Sequence, residues 1–249
     1  MTVVAILQAR ASSTRLPGKV MLPLLDKPML ERQIERVLRS STLNTLIIAT
    51  SENASDDAVA ALAKGLGLPC YRGSLDDVLD RFYQAALTVK PSHVVRLTGD
   101  CPLADPDVID RVVQHHLESG ADYTSNVCPP TYPDGLDVEV MTFSSLESAW
   151  RNAQLPSERE HVTSYIRKPE AGYKLENVEG EQDLSHCRWT VDEQEDFDFV
   201  SEVYRQLYAQ KPCFTTKDVL TLIEEKPELA SINQNFERNE GYTKSLLKD

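Results

Sequence analysis

The chain has 249 residues, 41% of them hydrophobic, and a formal net charge of −13 at pH 7. This length matches one α/β domain with an elaboration. The excess of acidic residues gives no electrostatic footprint for nucleic acid or an anionic membrane, so we expect neither as a partner. No apolar run reaches the roughly 18 residues of a membrane span, and the five cysteines show no C-x-x-C spacing. We therefore expect a soluble cytoplasmic protein with reduced thiols and no transition-metal site.

The first half of the chain alternates between strand-like and helix-like patterns. Short apolar runs indicate buried strands, and apolar residues at helical spacing indicate the helices between them. The predicted strands are 3–7, 45–49, 69–71 and 93–97, and the predicted helices are 30–38, 59–66, 78–86 and 108–113. Short connections and helical crossovers predict an α/β fold with a mostly parallel central sheet and helices on both faces.

The pattern changes past Asn126. Residues 136–141 alternate apolar and acidic side chains, which predicts a strand with one polar face. The remaining predicted elements are helices near 143–151 and 158–166, a buried strand at 187–191, and helices near 195–208 and 216–225. We predict a single domain over residues 1–249, in which the span 127–186 is an excursion from the sheet and a candidate subunit contact.

The segment 8–19 follows the first predicted strand and contains three cations, Arg10, Arg15 and Lys19. At the end of a strand these side chains can converge on the oxygens of a polyphosphate. Pro17 and Gly18 then turn the chain toward the first helix. Solvated loop charges are the default for any one of these cations. No P-loop or dinucleotide-binding glycine motif follows a strand candidate, which argues against a kinase or a dinucleotide-dependent dehydrogenase.

Two carboxylates stand at the ends of predicted strands. Asp100 follows the strand at 93–97 and the flexible Gly99, and Asp192 follows the strand at 187–191. Asp105 precedes Pro106 and is the better helix cap, which leaves Asp100 without an obvious structural role. Asp192 is equally a candidate cap for the next helix. Two carboxylates at one sheet edge can share Mg²⁺, which prefers one or two carboxylates together with phosphate oxygens and water.

Two further segments allow a structural and a functional interpretation. The turn at Gly73 and Ser74 exposes backbone donors that can read a base edge, although Ser74 or Asp76 capping the next helix is the simpler interpretation. His161 lies beside the apolar face of the predicted helix 158–166, where a packed interface histidine is favoured over a catalytic base.

The segment 131–139 combines an aromatic ring, a Pro-Asp-Gly turn and alternating carboxylates. Such a set can bind the hydroxyls of a sugar. Its candidate sugar-binding residues are Tyr132, Asp134, Asp137 and Glu139. The same residues also fit an ordinary hairpin turn.

Several of these motifs resemble those of one enzyme family. Residues 8–19, QARASSTRLPGK, are similar to the N-terminal loop of the cytidylyltransferases that make CMP-activated sialic acids and CMP-activated 3-deoxy-octulosonate. The segments GDCPL at 99–103, YPDGLD at 132–137 and EHVT at 160–163 resemble the SpsF-like branch, which serves spore-coat polysaccharide biosynthesis. The likeness runs from Val3 to about Tyr242.

The resemblance implies a Rossmann-like nucleotidyltransferase fold, Mg²⁺ as the cofactor, and a homodimer. It also implies that the span 127–186 binds the sugar or forms the dimer contact. The implied nucleotide-binding residues are Gln8, Ala9, Arg10, Ser12, Arg15, Lys19, Gly73, Ser74 and Thr98. The implied catalytic residues are Arg10, Arg15, Lys19 and Asp100, and the implied metal ligands are Asp100 and Asp192.

We therefore predict that the chain transfers CMP from CTP to a sugar or sugar acid and releases pyrophosphate, in the biosynthesis of a polysaccharide or surface glycan. Two alternatives remain open. A nucleotide-sugar-dependent glycosyltransferase also places a metal-binding carboxylate after a middle strand, but its Asp-x-Asp motif is absent because Cys101 and Pro102 follow Asp100. A non-catalytic nucleotide-binding partner is the other alternative.

Overall fold

The computed structural model of the protein describes residues 1–234, 236 and 238. Residues 235, 237 and 239–249, which the predicted domain includes, lie outside the described residues. The strands are β1 (Val3–Gln8), β2 (Pro23–Leu24), β3 (Lys27–Pro28), β4 (Thr45–Ser51), β5 (Cys70–Gly73), β6 (His93–Thr98), β7 (Tyr123–Ser125), β8 (Glu139–Thr142) and β9 (Leu175–Asn177). Apart from the small hairpin of β2 and β3, they form one seven-stranded sheet in the order β5-β4-β1-β6-β8-β7-β9.

The sheet is mostly parallel, as predicted. β1 pairs in parallel with β4 and β6, β4 pairs with β5, and β7 pairs with β9, whereas β8 runs antiparallel to both β6 and β7. The register places Gln8 at the end of β1 directly beside Thr98 at the end of β6. The loops that follow β1 and β6 therefore leave the sheet together, at the edge where ligands bind in open α/β sheets.

Helices cover both faces of the sheet, which confirms the predicted layers. They are α1 (Met29–Val37), α2 (Asp57–Gly65), α3 (Val78–Leu87), α4 (Pro106–Ser119), α5 (Phe143–Asn152), α6 (Pro156–Glu160), α7 (Gln194–Leu207) and α8 (Thr216–Glu225). Residues 3–7 of β1 are all apolar because Ala5 and Leu7 pack into the core on one face, with α1, α4 and α7, while Val4 and Ile6 pack into the core on the other, with α3 and α5. In the described part of the chain, no helix combines the length and the apolar character that crossing a bilayer requires.

The predicted helix 158–166 is wrong beyond its first turn. Helix α6 ends at Glu160, and Val162 adopts a φ of 59°, which a β-branched side chain rarely adopts. The apolar spacing that suggested the helix reflects burial, because Val162 and Ile166 are both fully buried in the core. The left-handed residue ends the helix and redirects the chain at His161.

The predicted strand at 187–191 is also wrong, although its apolar residues Trp189 and Val191 are buried as expected. The backbone N–H of Trp189 donates to the carbonyl of Asp134 at 2.6 Å, and that of Val191 donates to the carbonyl of Asp100 at 2.8 Å. This segment therefore bonds to two loops and forms an isolated bridge between Asp134 and Arg188 instead of a strand ladder. Its path brings Asp192 to the loop that carries Asp100.

The span 127–186 does not lie wholly outside the sheet. Its strands β8 and β9 pair with the central sheet through β6 and β7, and β7 itself was not predicted. Strand β8 overlaps the strand predicted at 136–141, whereas β7 and β9 have only three residues each, which is too short for a clear alternation of polar and apolar side chains. Helices α5 and α6 also belong to this span.

The buried His116 and its half-buried neighbour His93, at the start of β6, predict a pH-dependent stability. His93 Nδ1 lies 3.0 Å from His116 Nε2, and His116 Nδ1 lies 2.9 Å from the hydroxyl of Thr124. Burial, aided by His93, lowers the pKa of His116 from 6.5 to about 4. Below pH 6.5 the unfolded chain therefore binds a proton that the folded chain excludes, and the free energy of unfolding falls as the pH drops toward 4.

We expect His116→Asn to remove this slope, which amounts to up to about 2 kcal/mol between pH 6.5 and pH 5. Urea unfolding at several pH values measures it. His115→Asn is the matched control, because the neighbouring side chain is 42% exposed and should leave the slope unchanged. An identical pH dependence in the His116 variant and the wild type would refute this assignment.

Candidate active site

A cavity of about 610 Å³ opens at the carboxyl edge of β1 and β6. Its size falls within the range of sites for small molecules and cofactors. Its walls come from the loop after β1, the end of β6, the segment 134–139, the turn after α6 and the segment 188–192. The predicted residues that line it are Gln8, Ala9, Arg10, Ser12, Arg15, Lys19, Thr98, Asp100, Asp134, Asp137, Glu139 and Asp192.

The loop after β1 is held in place by hydrogen bonds that its backbone N–H groups donate. The N–H of Ala11 donates to a carboxylate oxygen of Asp56 at 2.7 Å, and Asp56 is fully buried. The predicted turn at Pro17 and Gly18 is present: Gly18 has a φ of 71°, and its N–H donates back to the carbonyl of Ala11 at 2.9 Å. This closure starts the short 3-10 turn at Lys19 and directs the lysine side chain into the cavity.

The ammonium group of Lys19 lies between the two predicted metal ligands. Its Nζ is 3.1 Å from Asp100 Oδ2, 2.7 Å from Asp192 Oδ1 and 2.8 Å from the carbonyl oxygen of Val191. Burial disfavours the charged forms of Lys19 and Asp100, but the attraction between the ammonium and the carboxylates stabilises both charges. As a result the pKa of Asp100 falls to about 2, and that of Lys19 is raised despite its burial. The two carboxylates therefore converge on one cation-binding point.

Asp192 is not the cap of helix α7. The residue at the N-cap position is Glu193, and the backbone N–H groups of Asp192 and Glu193 both donate to Asp196 at 2.9 Å. The carboxylate of Asp192 is left to bind Lys19 through one oxygen and Arg15 through the other, at 2.9 Å. This excludes the alternative that Asp192 serves only as the cap of the next helix.

A second group of charges surrounds Asp134 and Asp137. Arg238 donates to Asp137 at 2.6 Å and to the backbone oxygen of Tyr132 at 3.1 Å. Arg188 forms a two-pronged pair with the buried Asp196, at 2.8 and 2.9 Å, and lies 3.7 Å from Asp134. Burial and the neighbouring Asp137 raise the pKa of Asp134 to about 7, although both arginines oppose this shift.

Glu139 is the centre of a buried network. It accepts hydrogen bonds from the hydroxyls of Tyr123 and Thr163, each at 2.6 Å, and it forms an ion pair with Arg96. Burial opposes its charge, but Arg96 and Arg167 outweigh burial and lower the pKa of Glu139. Both oxygens of Glu139 thus already have partners. The side chains of Arg96 and Arg167 line the cavity beside it.

Three predicted residues do not line the cavity. The cap of helix α3 is Asp77, which accepts from the N–H of Asp80 at 2.9 Å, so neither Ser74 nor Asp76 has that role. The Ser74 hydroxyl instead accepts from the N–H of Asp77 at 3.0 Å. Gly73 and Ser74 lie behind Arg81, which donates to the carbonyl of Ser74 at 2.8 Å and itself lines the cavity. Tyr132 is buried beside the cavity rather than on its wall.

Several cavity side chains carry buried polar atoms that lack a hydrogen-bond partner among the described residues. They are Gln8 Oε1, Ser12 Oγ, Arg81 Nε and Arg96 Nε. A buried donor or acceptor without a partner costs about 1–3 kcal/mol. A ligand that supplies these hydrogen bonds would recover that energy, which favours a polar occupant of the cavity.

Sequence reasoning missed five charged side chains at this site: Arg81, Arg96, Arg167, Arg188 and Arg238. Arg81 is only 1% exposed, and burial together with nearby Arg10 lowers its pKa to about 10. Arg96 had a usable signal, because it interrupts the apolar run of β6. His161 lines the same cavity, and burial lowers its pKa. No local pattern marks Arg188 or Arg238.

The donor set fits a magnesium ion that also binds phosphate. Asp100 and Asp192 present oxygens to one point, which is now filled by an ammonium group. Among the described residues there is no cluster of three or more histidine, cysteine, aspartate or glutamate side chains that could hold a metal alone. Two carboxylates without further protein ligands suit Mg²⁺, because this ion takes its remaining ligands from phosphate and water.

Several known proteins are similar to this chain in sequence and fold. A family model described as "Cytidylyltransferase" matches residues 4–240. The spore coat polysaccharide biosynthesis protein SpsF of Bacillus subtilis is 33% identical over 238 residues, which cover 91% of this chain and 95% of that protein. A solved cytidylyltransferase from Leptospira borgpetersenii is 33% identical, with a TM-score of 0.88 over 95% of this chain and 98% of that one.

A more distant structure shares the fold alone. It is a CMP:2-keto-3-deoxy-manno-octonic acid synthetase complexed with CTP, which is 18% identical with a TM-score of 0.62 over 83% of this chain and 99% of that one. The predicted nucleotidyltransferase fold is confirmed. With the family model spanning almost the whole chain, this protein belongs to the cytidylyltransferase family.

Proposed function

We propose that this protein transfers CMP from CTP to a sugar or sugar acid and releases pyrophosphate, for the biosynthesis of a polysaccharide or surface glycan. The observation that carries the proposal is the cavity in which Arg15 and Lys19 meet Asp100 and Asp192 at the carboxyl edge of the sheet. The similarity to SpsF supports a polysaccharide product, and membership of the cytidylyltransferase family supports CTP as the donor of CMP.

In this reaction an acceptor oxygen forms a bond to the α-phosphorus of CTP, and the bond from that phosphorus to the bridging oxygen breaks. The electron pair leaves with pyrophosphate. The protein has to hold two anionic reactants together and neutralise the charge that grows on the leaving group. We assign Arg10, Arg15 and Lys19, which line the cavity, to triphosphate binding, together with Gln8, Ser12 and Thr98.

We propose Mg²⁺ as the cofactor, held by Asp100 and Asp192. When bound, the ion supplies charge neutralisation at the phosphate oxygens. Asp134 and Asp137, on the cavity wall, are proposed to read acceptor hydroxyls, whereas Glu139 acts by holding Arg96 in place. Arg81 takes the position beside the triphosphate loop that Gly73 and Ser74 were predicted to occupy.

We also propose a cytoplasmic homodimer, because CTP is a cytoplasmic metabolite and the span 127–186 offers a contact surface. Leu155 and Leu175 on this span are 38% and 43% exposed. They line a second cavity of about 560 Å³ next to the edge strand β9. Exposed leucines beside an unpaired strand edge are a favourable place for a subunit contact.

The test is pyrophosphate release from CTP with Mg²⁺ and a panel of acceptors that spans neutral sugars, sugar phosphates and sugar acids. We expect release with at least one acceptor and no release of UDP from UDP-sugars. UDP release without pyrophosphate release would favour the glycosyltransferase alternative. CTP binding with no turnover across the panel would favour a non-catalytic nucleotide-binding partner.

A further inference from the structure

The cations and carboxylates of the site are paired with one another. A metal ion can bind the carboxylates only if this pairing is broken. All three donors of the Lys19 ammonium are used, by Asp100, Asp192 and the Val191 carbonyl, at 2.7 to 3.1 Å. Lys19 is only 7% exposed, so water does not substitute for these contacts. A divalent cation shared by both carboxylates would need the point that the ammonium fills.

We propose that Lys19 is the resident counter-ion of Asp100 and Asp192, and that it excludes a divalent cation until a nucleoside triphosphate draws its ammonium away. The inference rests on the proposed function and gives Lys19 a role beyond holding phosphate. In the nucleotide-free enzyme, Lys19 occupies the metal position. In the complex, Lys19 binds phosphate and the metal replaces it between the carboxylates.

The second cation of the loop strengthens this exchange. Arg15 contacts the remaining oxygen of Asp192 at 2.9 Å and Glu193 at 3.3 Å. Both oxygens of Asp192 are therefore paired with a cation when no nucleotide is present. A triphosphate is a better partner for these cations because it brings several negative oxygens to one place.

The two halves of the exchange depend on each other. Removing the ammonium alone would leave two half-buried carboxylates facing each other, and adding a metal alone would place it against an ammonium. Metal and nucleotide together satisfy all the charges. The affinities are therefore coupled, and each ligand raises the affinity for the other by the same factor.

The test uses Mn²⁺ as the probe, with free Mn²⁺ measured by electron paramagnetic resonance on the full chain without nucleotide. We expect Lys19→Met to bind Mn²⁺ at least about tenfold more tightly than the wild type. The gain should vanish in the double variant Lys19→Met with Asp192→Asn. Lys27→Met is the matched control, because Lys27 also bridges two carboxylates, Glu31 and Glu35, each at 2.7 Å, but lies outside the cavity.

A second measurement does not depend on the folding of any variant. Wild-type protein is titrated with Mn²⁺ in the presence and absence of the non-hydrolysable analogue α,β-methylene-CTP. We expect the protein with bound analogue to bind Mn²⁺ more tightly than the protein alone and more tightly than the analogue alone in solution. Tight Mn²⁺ binding to nucleotide-free wild type, or equal affinities in wild type and Lys19→Met, would overturn the proposal. Neither measurement requires turnover, so a failure here is distinct from a failure of the proposed function.

Discussion

Asp100→Asn and Lys19→Ala are each expected to fold normally and to release pyrophosphate about a hundredfold more slowly than the wild type, or worse. Asp100 loses the charge that faces Lys19, and with it the proposed anchor for Mg²⁺. Lys19→Ala removes the ammonium that is placed to neutralise the leaving pyrophosphate. Each change removes an interaction with charge that develops in the transition state, so the loss should appear mainly in kcat.

Steady-state rates of pyrophosphate release with a saturating acceptor measure both effects. Asp107→Asn and Lys27→Ala are the matched controls, because these residues lie outside the cavity and should keep nearly full activity. Circular dichroism confirms that each variant is folded. Near-wild-type rates in either cavity variant would refute its catalytic assignment.

Gly135→Ala is expected to destabilise the folded protein by about 3 kcal/mol or more. Gly135 has a φ of 110°, and an added Cβ would lie 2.6 Å from the backbone nitrogen of Thr190 and 2.7 Å from the carbonyl carbon of Trp189. These are backbone atoms, so no side chain can move aside. The turn must instead separate from the segment 188–192, which would displace Asp134 and Asp192 together.

Urea unfolding measures the loss for Gly135→Ala. Gly172→Ala is the control for backbone conformation, because Gly172 has a φ of 70° but its added Cβ would meet no atom within 4 Å. We expect that control to cost about 1 kcal/mol. If the two variants lose equal stability, the close contact between Gly135 and the segment 188–192 does not hold the site together.

The parts of the site that the sequence predicted well are those tied to strand ends. Arg15, Lys19 and Asp100 follow apolar runs that are easy to read, and the parallel pairing of β1 with β6 then places their loops side by side. Asp192 was correctly predicted to lie near Asp100, but the strand on which that prediction rested is not formed. Its segment is buried and ends at the site, but its hydrogen bonds go to loops rather than to a neighbouring strand.

The remaining parts depend on contacts between distant positions. Arg238 binds Asp137 across 101 positions of sequence, and no local pattern in the polar C-terminal segment indicates this. The turn at Gly73 and Ser74 was assigned to the base-binding wall, but Asp77 caps the next helix and the longer Arg81 side chain lies in front of them. Val162 has a left-handed backbone conformation, which ends α6 and turns the chain at His161. Valine rarely adopts this conformation, so the end of the helix could not be predicted from the residue type.

The most direct measurement is a crystal structure of the protein with α,β-methylene-CTP and Mg²⁺. We expect the triphosphate to lie in the cavity in contact with Arg10, Arg15 and Lys19, the metal to be bound by Asp100 and Asp192, and the Lys19 ammonium to have left its position between them. Nucleotide bound elsewhere, or bound here with Lys19 still joined to both carboxylates, would contradict the assignment of this cavity.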